Sequence, residues 1–126
     1  MLDIEFHTAG TMRLTLCVGR YALKFARGRR GRDANRREQL EWSRATPPRR
    51  EMLCPVLWAA PFGLVIVMQR AVPLARQEQQ ELLFNHGFPD WDYMPGGPRS
   101  PFEFKETDWG RLDGRLVALD YAAADD

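Results

Sequence analysis

The sequence predicts an α+β protein built from an antiparallel sheet and one main helix. Stretches such as MRLTLCV and YALKFA alternate apolar and polar residues, as half-buried strands do. In residues 34–45, by contrast, the residues expected to face the sheet recur at helical spacing. With 126 residues, of which 44% are hydrophobic, the chain has apolar material for one core, and we expect a single domain over residues 1–126.

The first predicted unit is a hairpin. Its strands are residues 12–18 and 21–26, and glycine and arginine at positions 19 and 20 turn the chain between them. Because successive side chains of a strand alternate in direction, Lys24 lies on the opposite face from Leu23 and Phe25. The lysine therefore shares its face of this strand only with alanines.

One main helix is predicted from about Ala34 to Ala45. Asp33 has a side chain suited to an N-cap, and the prolines at positions 47 and 48 end the helix. The residues that recur at helical spacing are Ala34, Glu38, Trp42 and Ala45. This stripe turns Glu38 toward the sheet.

The rest of the chain alternates short elements with one long loop. The predicted ranges are strands near 56–59 and 64–69, a helix at 76–84, a loop at 87–101 and a final hairpin at 109–121. The aromatic residues expected to anchor the loop are Phe88, Trp91 and Tyr93. An Asp-Gly pair at 113–114 suits a type I′ turn in the hairpin.

Composition argues against a membrane protein. The longest apolar run, residues 52–68, is interrupted by Pro55, Pro61 and Gly63, so it is not the continuous apolar helix of about 20 residues that spans a bilayer. The N-terminal MLDIEFH resembles the beginning of a strand and has no basic-then-apolar leader before it. We therefore expect a cytoplasmic protein without a membrane partner.

The chain contains few residues that could form disulfides or bind metals. Cys17 and Cys54 lie among apolar neighbours, which favours reduced, packed thiols. His7 and His86 are isolated, with no cysteine or paired carboxylate at metal-ligand spacing. We expect neither zinc nor haem.

Charge is distributed unevenly along the chain. Residues 1–76 contain 14 Lys and Arg against 6 Asp and Glu, whereas residues 77–126 contain 4 against 11. Six arginines fall within residues 27–37, namely Arg27, Arg29, Arg30, Arg32, Arg36 and Arg37. We interpret this run as a flexible loop that binds an acidic protein surface or the chain's own acidic half. Nucleic acid is the alternative partner, less favoured because no aromatic residue is interleaved for base stacking.

The positions of Lys24 and Glu38 predict an ion pair. A lysine on the inner face of a hairpin strand and a glutamate turned toward the same sheet can meet inside a cleft. Two alternatives stay open at this point. Lys24 can extend from a sheet edge with its amine in water, and Glu38 can pair with Arg30 or Arg37 on a solvated face.

These features resemble the protein-kinase-like fold. YALK is similar to the strand motif whose lysine pairs with a helix glutamate and contacts nucleotide phosphates. PVLWAAPFGLVIVMQRAVPL resembles the two strands that lead to the hinge, and FEFKETDWGRLDGRLVALDYA resembles the catalytic-loop segment and its hairpin. The resemblance implies a small-lobe-like region at 1–70 and a reduced large-lobe-like region at 71–126.

The resemblance also implies roles for individual residues. Lys24, Glu38 and Met68 would bind the nucleotide of Mg-ATP, with residues 69–71 at the linker. Asp108 and Asp120 would bind magnesium, and Glu103 would be the catalytic base. The alternative for the two aspartates is local: Asp120 caps a turn and Asp108 forms an Asx-turn before the hairpin.

The sequence departs from the kinase pattern where catalysis depends on it. Glu103 and Asp108 stand where the family has aspartate and asparagine, and HTAGTMRL contains one glycine where a phosphate-covering loop has two or three. After Ala122 we expect no activation segment and no acceptor-binding lobe. The predicted function is therefore a pseudokinase that acts by binding a partner macromolecule, as a bacterial or phage accessory protein would. The alternatives are a minimal Mg-ATP-dependent phosphotransferase and a nucleic-acid-binding protein.

Overall fold

The computed structural model describes residues 4–7, 13–84, 88, 91, 101–102 and 108–122, and of residues 4–7 it describes only the backbone. Within these ranges the chain is α+β, with two antiparallel sheets and one long helix. The predicted fold class is confirmed at this level.

The larger sheet has five strands in the order β1-β2-β3-β5-β4. Its strands are β1 (Ile4–His7), β2 (Arg13–Val18), β3 (Tyr21–Ala26), β4 (Val56–Ala59) and β5 (Val65–Gln69). All neighbouring pairs are antiparallel, and a bulge interrupts the pairing of β4 with β5. The predicted hairpin corresponds to β2 and β3.

Strand β3 lies in the middle of this sheet, so Lys24 does not lie at a sheet edge. It pairs with Thr15 of β2 on one side and with Ile66 of β5 on the other. Only 7% of Lys24 is exposed, whereas Tyr21 and Phe25 are exposed on the opposite face. The predicted alternation of β3 is confirmed, and the edge-lysine alternative is wrong.

The main helix, α1, spans Gly28–Arg44, six residues earlier at its start than the sequence predicts. Asp33 therefore lies inside the helix and is not its N-cap; Arg27 holds that position without a side-chain cap. The arginine loop is also a wrong prediction, because five of its six arginines are helical. Arginine is a good helix former, and Gly31 inside the helix costs only about 1 kcal/mol relative to alanine. Gly28, the first helical residue, has φ 83°, a conformation that glycine adopts readily.

The end of α1 follows the sequence signal. Ala45 has extended dihedrals, and a second short helix, α2 (Pro47–Arg50), begins with two prolines after Thr46. Proline disfavours a helical conformation in the residue before it, so the chain leaves α1 before position 47.

A short 3₁₀ turn, Pro61–Gly63, connects β4 to β5 and touches α1. Gly63 has φ 70°, and a Cβ built on it would lie 2.2 Å from the Arg32 carbonyl oxygen. The Gly63 carbonyl in turn accepts a hydrogen bond from Asn35 Nδ2 at 2.9 Å. Only glycine permits this approach, which fixes α1 against the sheet.

The second sheet has three strands in the order β6-β7-β8, which are β6 (Val72–Pro73), β7 (Trp109–Leu112) and β8 (Arg115–Ala118). Helix α3 (Arg76–Phe84) lies between β6 and β7 in the chain, as predicted. Asp113 and Gly114 both have positive φ, 52° and 81°, which confirms the predicted type I′ turn.

The core lies where the two sheets meet. Trp109, Leu53, Ile66 and Val117 are fully buried, and the Trp109 ring packs edge-on against Phe102 with their centroids 4.8 Å apart. The predicted loop anchors Phe88 and Trp91 also pack on this core. Tyr93, the third predicted anchor, lies outside the described residues.

Hydrogen bonds join the final hairpin to the segment before β4. Cys54 N–H donates to the Ala118 carbonyl at 3.0 Å, and Ala118 N–H donates to the Met52 carbonyl at 2.8 Å. This pairing places the residues that follow β8 beside the inner face of the larger sheet.

Cys17 and Cys54 are buried and carry reduced thiols, as predicted. No helix among the described residues is long and apolar enough to cross a membrane.

Candidate ligand-binding site

A buried ion cluster centred on Glu38 joins α1 to β3. Lys24 Nζ lies 2.8 Å from Glu38 Oε1 and 3.1 Å from Oε2, and the glutamate is 0% exposed. The predicted ion pair is therefore present. The alternative pairing of Glu38 with Arg30 or Arg37 is wrong, because Glu38 points into the sheet.

Arg13 of β2 is a second cation on the same carboxylate, and sequence reasoning missed it. Its Nη1 donates to Glu38 Oε1 at 2.9 Å and its Nη2 to Oε2 at 3.1 Å, a bidentate pair. Nη1 also donates to Asn35 Oδ1 at 3.2 Å. The strand register could have predicted this contact. Arg13 lies two residues before Thr15, the cross-strand partner of Lys24, so Arg13 and Lys24 point to the same face of the sheet.

The residues after β8 close the cluster from the other side. The Leu119 carbonyl accepts a hydrogen bond from Lys24 Nζ at 2.6 Å, and Tyr121 N–H donates to Glu38 Oε2 at 2.9 Å. Asp120 Oδ1 accepts a hydrogen bond from Arg13 Nη2 at 3.1 Å. Lys24, Glu38 and Asp120, to which the kinase resemblance assigns nucleotide and magnesium binding, therefore lie together in the structure.

Electrostatics keeps Glu38 ionised. Burial alone raises the pKa of Glu38, but the neighbouring Lys24 and Arg13 cations lower it to about 2. Burial lowers the pKa of Arg13, and the Glu38 and Asp120 carboxylates more than offset this, so its pKa is raised. The cluster therefore holds the Arg13 cation and the Glu38 anion charged at neutral pH.

Asp120 has a different environment. Its side chain is 46% exposed, yet desolvation and the Glu38 carboxylate raise its pKa against the opposing effect of Lys24 and Arg13. Asp120 Oδ1 also accepts from the backbone N–H of Ala122 at 3.2 Å. The local turn that the sequence offered as an alternative role for Asp120 is thus present together with the ion pair.

The cluster forms one wall of a cavity of about 320 Å³ between the larger sheet and the chain after β8. Its lining residues are Arg13, Thr15, Cys17, Ala22, Lys24, Cys54, Met68, Gln69, Arg70, Ala71, Pro73, Asp108, Leu119 and Asp120. Four residues singled out from the sequence, Lys24, Met68, Asp108 and Asp120, therefore line one space. Glu38 lies behind this wall and holds its two cations in place.

Asp120, one of the two predicted magnesium ligands, is already engaged by groups of the protein. Mg²⁺ requires near-octahedral oxygen coordination, usually from one or two carboxylates together with water and phosphate. Asp120 Oδ1 already accepts from the Arg13 guanidinium and from a backbone amide. Across the described ranges, no three His, Cys, Asp or Glu side chains lie close enough to hold a metal ion. Arg13 supplies the positive charge that a metal would bring to Asp120.

Two further predicted features fall in parts of the chain that are not described. Glu103, the predicted base, and most of HTAGTMRL, the predicted phosphate-covering loop, lie outside the described residues. Their roles stay predictions.

The arginines predicted to bind a partner are not among the residues that line the cavity. Arg29, Arg32 and Arg36 recur along one stripe of α1 that points away from the sheet, with Arg29 and Arg36 exposed. Arg36 pairs with Asp33 at 3.3 Å, and Arg27 precedes the helix. The cavity and the arginines are therefore separate surfaces.

Comparisons with protein-family models, with curated proteins and with solved structures found no significant match to this chain.

Proposed function

We propose that the chain is a non-catalytic kinase-like protein, a pseudokinase, that acts in the cytoplasm by binding an acidic protein surface. In this proposal the larger sheet with α1 corresponds to a small lobe, and residues 71–126 correspond to a reduced large lobe. The Lys24–Glu38 pair at the wall of a cavity supports the kinase-like part. The observation that carries the binding role is the composition of the surface around the 3₁₀ turn and α1.

That surface combines arginines with exposed apolar side chains. Phe62, in the turn that packs on α1 at Arg32, is 72% exposed. Leu64 after the same turn and Leu40 on the arginine stripe of α1 are also exposed. A protein partner with acidic and apolar residues would satisfy both kinds of group, whereas nucleic acid would leave the leucines without partners.

Phe62 adopts a backbone conformation that is unfavourable for a phenylalanine. Its φ is 64° and its ψ is 16°, in the left-handed region, which costs about 1–2 kcal/mol for a residue with a Cβ. Since its ring is mostly exposed, packing within this chain offsets little of that cost. Strain retained at an exposed aromatic residue supports a role in contact with another molecule.

We expect Phe62→Asn and Arg29→Glu to weaken partner binding without loss of folding. Asparagine tolerates positive φ, so Phe62→Asn should preserve or raise stability, by up to about 1 kcal/mol, in a urea titration. Binding would be measured on short immobilised acidic peptides that carry or lack leucine and phenylalanine. Wild type should prefer the peptides that carry apolar residues, and both variants should lose that preference.

Arg76→Glu is the matched control for Arg29→Glu, because it makes the same charge change at an exposed residue of α3. It should leave peptide binding unchanged. Binding that depends only on net charge, and falls equally in Arg29→Glu and Arg76→Glu, contradicts the proposed surface. Tighter binding to single-stranded RNA or DNA, with a steep salt dependence, would replace the protein partner by nucleic acid.

A minimal phosphotransferase is the alternative function. It is supported by the four predicted site residues that line one cavity, Lys24, Met68, Asp108 and Asp120. We expect no turnover of Mg-ATP, because phosphoryl transfer depends on positioned cations and metal, and here Arg13 engages Asp120 while Glu38 and Leu119 engage Lys24. ADP release by purified protein is the measurement. ATP consumption that Glu103→Gln abolishes would promote the enzyme and overturn the pseudokinase.

A further inference from the structure

The cations at the cavity wall already donate hydrogen bonds to acceptors within the protein. Lys24 Nζ has three protons and lies within hydrogen-bond distance of three oxygens, both of the Glu38 carboxylate and the carbonyl of Leu119. The Leu119 contact is the shortest, at 2.6 Å. A phosphate that reached Lys24 would have to displace the backbone of the segment after β8 or compete with a buried carboxylate.

Arg13 likewise donates its hydrogen bonds to groups of the protein. Its two terminal nitrogens donate to Asn35, to both oxygens of Glu38 and to Asp120. Because Glu38 is fully buried, withdrawing Arg13 toward an incoming anion would leave that carboxylate with one fewer cation away from water. The guanidinium is therefore held as part of the wall.

Among the described residues, the formal charges around the cavity cancel. The cations are Arg13, Lys24 and Arg70, and the carboxylates are Glu38, Asp108 and Asp120. Arg70 donates to the Gly19 carbonyl at 3.1 Å and so is also engaged. A nucleoside triphosphate would meet no net positive charge from the residues that the structure describes, and two carboxylates line the space it would enter.

The rest of the lining is mostly apolar. Ala22, Met68, Ala71, Pro73 and Leu119 contribute hydrocarbon surface, and Thr15 contributes a hydroxyl. The volume of about 320 Å³ lies at the lower end of the range of small-molecule sites, about 300–1,000 Å³, which are apolar with a few orienting polar groups. Size, charge and lining together indicate the class of ligand.

We propose that this cavity binds an uncharged ring compound of nucleoside size, such as adenosine, and that the protein's own Arg13–Glu38–Lys24 cluster fills the place where a kinase-like site would hold phosphates and metal. This inference rests on the kinase-like cleft proposed above, but its ligand is an uncharged compound in place of Mg-ATP. Binding then requires neither magnesium nor phosphate.

The test compares adenosine, AMP and ATP, each with magnesium and with EDTA, by protein-observed NMR titration. We expect adenosine to bind at least as tightly as ATP and expect magnesium to leave both affinities unchanged. A site that recognised phosphates would bind ATP at least about tenfold more tightly than adenosine, since each charge-assisted hydrogen bond adds roughly that factor.

The location of binding is tested with a pair of adjacent substitutions. Ala22→Phe places a ring in the cavity and should abolish adenosine binding, whereas Leu23→Phe adds the same residue type on the opposite face of β3 and should not. The wild-type protein provides a measurement that needs no variant. Adenosine should shift the methyl signal of Met68, which lines the cavity, and leave that of Met52, a core residue outside it, unchanged.

Three outcomes overturn the proposal. Tighter binding of Mg-ATP than of adenosine, lost in EDTA, removes the uncharged ligand but keeps the kinase-like cleft. Adenosine binding that shifts Met52 and not Met68 moves the ligand elsewhere. If none of the compounds causes a response, the cavity is not a ligand site. That result would not affect the proposed partner surface of α1, which the peptide-binding experiment tests separately.

Discussion

Glu38→Gln should be the most destabilising single substitution at the cluster, by about 3–5 kcal/mol. Glutamine keeps the shape of the side chain but removes the charge that Lys24 and Arg13 share, and its amide group would face donors. Both cations are nearly buried, at 7% and 9% exposure, so water does not replace the lost carboxylate. Urea unfolding at neutral pH measures the loss.

Glu78→Gln is the matched control for this substitution. Glu78 pairs with Arg111 at 3.3 Å, but both side chains are more than two-fifths exposed, so the expected loss is at most about 1 kcal/mol. Equal losses in Glu38→Gln and Glu78→Gln would show that Glu38 is not a buried anion between two cations.

The same carboxylate gives stability a defined pH dependence. The pKa of Glu38 is lowered to about 2 in the folded chain from an ordinary 4.5, so ionised Glu38 stabilises the fold above pH 4.5. That contribution falls as pH drops from 4.5 toward 2, where the folded chain also binds the proton. A Glu38→Gln protein that remains folded should lack this part of the acid transition.

Gly63→Ala should be the second large effect, because it combines strain with a backbone clash. Gly63 has φ 70°, and its added Cβ would lie 2.2 Å from the Arg32 carbonyl oxygen. The positive φ alone costs about 1–2 kcal/mol, and separating α1 from the turn adds roughly 1–3 kcal/mol as an overpacked contact. Since Gly63 and Arg13 both bond to Asn35, the shift should also loosen the ion cluster.

Gly114→Ala separates the two contributions. Gly114 has a similar φ of 81°, but no atom lies within 4 Å of the Cβ position. It should lose only the part that comes from the positive φ. Equal unfolding free energies for Gly63→Ala and Gly114→Ala would contradict the close approach of α1 to the turn.

Local periodicity predicted the parts of the fold that depend on local patterns. The alternation in β2 and β3 placed Lys24 on an inner face, and helical spacing placed Glu38 opposite it, so their pairing followed from the sequence. The Asp-Gly pair likewise predicted its turn, because two consecutive positive φ values favour those residues.

Other features depend on distant parts of the chain. The bond from Lys24 to the Leu119 carbonyl spans 95 positions and uses a backbone oxygen, which no side-chain pattern reveals. Charge and glycine content predict a loop for the arginine run, but arginine favours helices and one of the glycines, Gly31, is buried on the inner side of α1. Phe62 gave no sequence signal for its positive φ.

A ¹³C-detected titration of the Glu38 side-chain carboxyl is the most direct test of the ion cluster on which the site depends. We expect Glu38 in the folded protein to stay ionised well below pH 4.5, with a pKa of about 2, because Lys24 and Arg13 both contact it. Exposed glutamates in the same spectra provide the reference. A Glu38 midpoint that coincides with theirs would contradict a buried carboxylate between two cations, and with it the wall of the proposed cavity.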